Sequence, residues 1–120
     1  MHNIRKEVTK MTEVKIIYLT GRTGKKYRFY TFPDPDGLKA EGGIFAITRR
    51  YTNKNSWEHE LIEIDVLHDM SELKKKMQMP GYNCHKGANC IAARLEKDPL
   101  KRKRVAEDLW GNYFPSMLSA

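Results

Sequence analysis

The stretch that decides the fold is Glu60-Leu61-Ile62-Glu63-Ile64-Asp65-Val66, followed at once by Leu67-His68-Asp69-Met70-Ser71-Glu72-Leu73-Lys74-Lys75-Lys76-Met77. In its first part Ile62, Ile64 and Val66 alternate with Glu63 and Asp65, the period of a strand with one buried face. In its second part Asp69 and Glu72 have the spacing of a helix-capping box, with Asp in place of Ser or Thr. Met70, Leu73 and Met77 then share one helical face and leave Lys74, Lys75 and Lys76 off it. A strand thus runs into a short basic helix, which Pro80-Gly81 ends.

Working outward, Val14–Leu19 and Lys26–Thr31 read as strands, and the turn Thr20-Gly21-Arg22-Thr23-Gly24-Lys25 makes them a β-hairpin. The Gly-x-x-Gly-Lys in that turn is too short for a phosphate loop, and no helix follows it. It lies between strands, whereas the Gly-x-x-Gly of KH domains lies between helices, so the hairpin turn is the better reading. Phe32–Gly37 is a turn cluster, 42–50 a strand, and Asn53-Lys54-Asn55-Ser56 a polar loop. Residues 89–95 are short and apolar, and their periodicity fits a strand or the start of a helix equally. Asp98-Pro99 opens a further helix, with Ala106, Leu109, Trp110 and Tyr113 at helical spacing and Pro115 closing it. Leu109 and Trp110 are expected to pack that helix onto the sheet. Strands first, with helices between and late, give an α+β order. The expectation is a single domain over 13–118, mainly an antiparallel sheet flanked by helices with an N-terminal β-hairpin, after a loose polar lead-in over 1–12.

The chain has 120 residues, the size of one domain with a modest core. No apolar run approaches the ~18 residues of a membrane span. Met1-His2-Asn3-Ile4-Arg5-Lys6-Glu7 has no signal-peptide core, so the expected compartment is the cytoplasm and no membrane partner is expected. Cys84 and Cys90, with His85 between them, lack the second ligand pair that tetrahedral zinc requires, and two reduced thiols are the simpler reading.

Formal net charge is +7, distributed unevenly. Residues 73–104 hold ten of the 22 Lys and Arg but only two of the 15 acidic residues, a local +8 against −1 for the remainder. The ten are Lys74, Lys75, Lys76, Lys86, Arg94, Lys97, Lys101, Arg102, Lys103 and Arg104. Such asymmetry points to an anionic partner.

Taken in order, these segments resemble a GIY-YIG nuclease domain. The first half corresponds to Gly42-Gly43-Ile44-Phe45-Ala46-Ile47-Thr48-Arg49-Arg50 and the second to the strand at 60–66 with its helix. The resemblance continues through Gly87-Ala88-Asn89-Cys90-Ile91 and ends at Asp108-Leu109-Trp110-Gly111-Asn112-Tyr113-Phe114-Pro115. It implies a small α/β sandwich. It also implies hydrolysis of phosphodiesters with one divalent metal held by a late-helix Glu, a first-motif Tyr helping to activate water, and a helix Arg on the phosphate.

The residues required for that chemistry are replaced here. On the resemblance the first-motif Tyr falls at Phe45, the start of the second motif at Glu63, the helix Arg at Leu73, the metal-binding Glu at Ala106 and the supporting Asn at Leu118. Lys74, next to Leu73, offers a point charge rather than a planar fork. Glu107, one position from the expected Glu, is turned by ~100° on a helix. The implied protein is a catalytically inactive copy with no cofactor. Mg or Mn belongs only to the reading as a divergent endonuclease.

The function expected is non-catalytic nucleic-acid binding through Lys74, Lys75, Lys76, Lys86, Arg94, Lys101, Arg102, Lys103 and Arg104, because phosphate contacts need only Lys and Arg. Lys74–Lys76 and Lys101–Arg104 are expected to form one positive surface. The alternative is a protein-interaction module, such as an inhibitor or accessory subunit of a nucleic-acid-handling or defence assembly, whose basic third meets an acidic protein surface.

Overall fold

Five strands form one antiparallel sheet in the computed structural model, which describes residues 16–53, 56–79 and 87–118. They are β1 (Ile16–Thr20), β2 (Lys26–Phe32), β3 (Gly43–Asn53), β4 (Ser56–Leu67) and β5 (Cys90–Leu95), in the spatial order β1-β2-β5-β3-β4. A 3-10 turn at Met70–Glu72 leads into the short helix α1 (Leu73–Met77), and a longer helix α2 (Pro99–Tyr113) follows β5. The α+β class, the antiparallel sheet and the hairpin agree with the sequence reading. The lead-in at 1–12, the start of the first strand at Val14, the loop residues Lys54 and Asn55, and Pro80-Gly81 lie outside the described residues.

Local chemistry sets the element ends. Gly24 has φ +88, a left-handed value that suits glycine in the β1–β2 turn. The Asp69 carboxylate accepts from the Ser71 backbone at 3.0 Å and caps the turn before α1. The Asp98 carboxylate accepts from the Leu100 backbone at 2.9 Å, with Pro99 at the first helical position of α2.

β5 decides the ambiguity at 89–95 in favour of a strand. It lies at the centre of the sheet, pairing with β2 on one side and β3 on the other. Cys90, Ile91, Ala92 and Ala93 are therefore all buried, and a strand covered on both faces shows no alternation.

Strand parity divides the interior into two clusters. Leu19, Tyr27, Phe29, Ile44, Ala46, Ile64, Ala92 and Leu109 form one, beneath α2. Phe45, Ile47, Met70, Leu73, Ile91 and Ala93 form the other, beneath α1. A register shift between Ile47 and Thr48 breaks the simple alternation read at 62, 64 and 66. Ile64 and Val66 pack on the α2 side, whereas the bulge sends Ile62 to the α1 side.

The two helices therefore cover opposite faces of the sheet. This corrects the expectation that Lys74–Lys76 and Lys101–Arg104 build one positive surface. Phe45 and Ala46 are consecutive, so their side chains point to opposite faces, and each face recruits its own helix.

Candidate nucleic-acid interface

The segment Asp108-Leu109-Trp110-Gly111-Asn112-Tyr113 ties α2 to the β1–β2 turn. The Asp108 carboxylate accepts from Tyr27 Oη at 2.8 Å, from Thr23 Oγ1 at 2.8 Å and from the Thr23 backbone N–H at 3.1 Å. Asn112 Nδ2 donates to the Thr20 carbonyl at 2.8 Å, and the Thr20 N–H donates to Tyr113 Oη at 3.0 Å. Leu109 is fully buried between these polar contacts. A side chain at Gly21 would collide with the Asp108 carboxylate, so the close approach needs glycine. Burial, followed by the hydrogen bond to Asp108 and its negative charge, pushes the Tyr27 phenol up to about 12. For Asp108, burial acts upward, but the hydrogen bonds from Tyr27 and Thr23 outweigh it and hold the carboxyl below its ordinary value.

Trp110 is half-buried against the same cluster, and its Nε1 donates to the Ile64 carbonyl of edge strand β4 at 2.7 Å. Its expected place in the core–helix contact is correct. Asn89 likewise has a structural task. Its side chain accepts from the Arg50 N–H at 2.6 Å and donates to the Arg50 carbonyl at 3.0 Å, joining the start of β5 to β3.

Of the expected anion-binding residues, Lys101, Lys103 and Arg104 lie exposed on the outer face of α2, with no ion pair among the described residues. Arg102 does not join them, which corrects its assignment as a surface cation. It belongs to the buried stripe Arg102–Ala106–Leu109, one residue per helical turn. Its Nη1 donates to the Glu96 and Lys97 carbonyls at 2.8 and 3.2 Å, and it lies where a side chain at Gly42 would stand. Arg94 is also turned inward, donating to the Arg28 carbonyl at 3.3 Å with its guanidinium 5.7 Å from the Tyr27 ring centre. On the other face Lys74 pairs with Asp36 at 2.9 Å, Lys75 is exposed and Lys76 is half-buried. Lys86 lies outside the described residues, as do Cys84 and His85, while Cys90 is a buried free thiol.

The positions that the resemblance equates with catalytic groups do not converge. Phe45 and Leu73 are fully buried in the α1-side cluster, with Glu63 half-buried on edge strand β4. Ala106 is fully buried on the other side, under α2. Leu118 and Glu107 line an open depression of about 420 Å3 with Arg22, Thr23, Arg104 and Asp108. Among the described residues no group of three His, Cys, Asp or Glu side chains is placed to hold a metal ion. Nor is any helix there long and apolar enough to cross a membrane.

A second exposed area was missed in the sequence. α1 packs over residues of β3, β4 and β5 on its face of the sheet, and among the described residues the β1–β2 side of that face is exposed. Tyr18, Lys26, Arg28 and Tyr30 are exposed there, with Tyr18 directly opposite Arg28. The signal was available in Lys26-Tyr27-Arg28-Phe29-Tyr30, where buried rings alternate with exposed cations and a third ring. Comparison of the chain with family models, with curated proteins and with solved structures finds no match.

Proposed function

We propose that this chain is a non-catalytic nucleic-acid-binding protein on a degenerate GIY-YIG scaffold, holding phosphates on the outer face of α2. The observation that carries the reading is the exposure of Lys101, Lys103 and Arg104 without ion pairs among the described residues. Their helix is fixed to the sheet through Arg102, Ala106 and Leu109, so the cations project from a rigid base. Each phosphate neutralised by such a cation releases condensed counterions, and the contact carries no sequence preference.

The scaffold reading is supported by the succession of two paired strands, a short helix, a strand and a late helix in the order of the resembling segments. The absence of catalysis is supported by Phe45, Leu73 and Ala106, whose apolar side chains supply no proton carrier, phosphate ligand or metal ligand.

Fluorescence anisotropy with labelled single-stranded and duplex oligonucleotides at low salt tests the proposal. Saturable binding is expected. Absence of binding overturns it. Capture of an acidic protein that survives nuclease treatment would assign the cations to a protein surface instead.

A further inference from the structure

We infer that the β1–β2 part of the α1-side face, exposed among the described residues, is a stacking platform for single-stranded nucleic acid, built on Tyr18 and Tyr30. This inference rests on the nucleic-acid reading and adds a second site and a preferred strand state.

The two faces of β2 differ in chemistry. Tyr27, Phe29 and Thr31 point under α2 and are buried, whereas Lys26, Arg28 and Tyr30 point away from it and are exposed. β1 is in register with this pattern. Ile16 lies opposite Tyr30, and Tyr18 opposite Arg28. Tyr18 is 58% exposed, Ile16 48% and Tyr30 40%, so about half of each side chain is accessible to solvent on a hydrogen-bonded sheet. Tyr18 and Tyr30 are diagonal cross-strand neighbours, whose backbone separation is about 7–8 Å. Arg28 lies between them, its guanidinium 5.8 Å from the Tyr30 ring centre.

Charge selects the occupant. No carboxylate occurs in β1, β2 or β5, and Lys26 and Arg28 stand on the open face. An apolar partner would leave these cations desolvated and unpaired, which is costly. A single strand satisfies both features, with bases on the rings and phosphates on the cations. A duplex hides its bases in the stack and has no use for the rings.

A concavity of about 520 Å3 adjoins the platform, lined by Arg28, Tyr30, Leu38, Lys39, Ala93 and Leu95 among others. Its volume is in the range of small-ligand sites. Ala93, with its short side chain, leaves depth beside the Tyr30 ring, and Arg28 and Lys39 supply positive charge. One unstacked base fits this description.

The test uses the full chain with a fluorescent single-stranded oligonucleotide and a duplex of the same sequence. The variants are Tyr18→Ala/Tyr30→Ala, Tyr18→Phe/Tyr30→Phe and Lys101→Ser/Lys103→Ser/Arg104→Ser. Each ring lost is expected to weaken single-strand binding by roughly 5- to 160-fold. Duplex binding should be unchanged, and the Phe variant should bind normally, because stacking needs the ring and not the hydroxyl. Equal single-strand affinity in the Ala variant overturns the platform while leaving the α2 proposal standing. Failure of the wild type to bind either oligonucleotide at low salt overturns both. Sedimentation showing a dimer that the Ala variant dissolves would assign the face to a second copy of the chain, and also overturns the platform.

Discussion

Tyr27 Oη donates a 2.8 Å hydrogen bond to Oδ2 of Asp108, joining β2 to α2 across 81 residues of sequence. The bond closes a loop of contacts that also includes Thr20, Thr23, Asn112 and Tyr113. Four residues of the Asp-Leu-x-x-Asn-Tyr segment thereby acquire a structural role. Asp108, Asn112 and Tyr113 hold the hairpin turn, and Leu109 fills the space beneath it.

Asp108→Ala is expected to cost about 1.5–3 kcal/mol, the range for hydrogen bonds to a charged group, with the lower end favoured because the Thr23 side is exposed to water. A double-mutant cycle with Tyr27→Phe, read by urea denaturation, should show a coupling of at least about 0.5 kcal/mol. Strict additivity would mean that the two groups do not act together.

The same pair sets a pH window. Asp108 is held below its ordinary value, so its contribution is present above the unfolded carboxyl value near 4 and is lost as pH falls through the folded one. Tyr27 is pushed up to about 12 from 10.0. Its contribution is full below 10 and is lost as pH rises through about 12. The difference in stability between wild type and Tyr27→Phe should therefore be flat from pH 5 to 9 and shrink on the alkaline side. A difference that grows above pH 10 would contradict this assignment.

Arg102 and its neighbours should separate stability from binding. Arg102→Ala leaves the Glu96 and Lys97 carbonyls without its guanidinium and empties a buried position. A loss of roughly 2–4 kcal/mol is expected from the unmade hydrogen bonds and lost packing. Lys101→Ser/Lys103→Ser/Arg104→Ser should stay within about 1 kcal/mol of wild type, since these side chains are exposed. Melting curves of the two variants check the contrast, and equal curves would remove the distinction between an inward Arg102 and outward neighbours.

What the sequence could and could not show follows from parity and burial. The strand at 60–67 was readable because Ile64 and Val66 alternate with Glu63 and Asp65 on an edge strand, yet the bulge beside Ile62, which turns Ile62 to the other face, was not, since it depends on pairing with β3. β5 was ambiguous because burial on both faces removes the alternation by which strands are read. Lys74–Lys76 and Lys101–Arg104 looked alike as charge runs. Only the opposite faces covered by α1 and α2 separate them, and only the carbonyls of Glu96 and Lys97 draw Arg102 out of its run. Tyr18 and Tyr30 were legible as strand residues, but their exposure depends on α1 being too short to cover β1 and β2.

Purified protein is expected to leave single-stranded and duplex substrates intact with Mg or Mn. Phe45, Leu73 and Ala106 supply none of the groups that activate water, bind the phosphate or hold a metal. Gel analysis of end-labelled substrates reads this directly. Metal-dependent cleavage that copurifies with the chain and disappears in Glu107→Ala would show that Glu107, exposed beside Arg104, serves a nuclease after all.

The most direct measurement is the salt dependence of nucleic-acid affinity in wild type and in Lys101→Ser/Lys103→Ser/Arg104→Ser. Each phosphate contact adds about 0.9 to the log–log slope on duplex DNA and about 0.7 on single strands. With all three cations on phosphates, the variant should flatten the slope by roughly 2.7 on duplex or 2 on single strands, with its melting temperature little changed. A variant that binds with the wild-type affinity and slope would contradict the assignment of the outer face of α2 to phosphates.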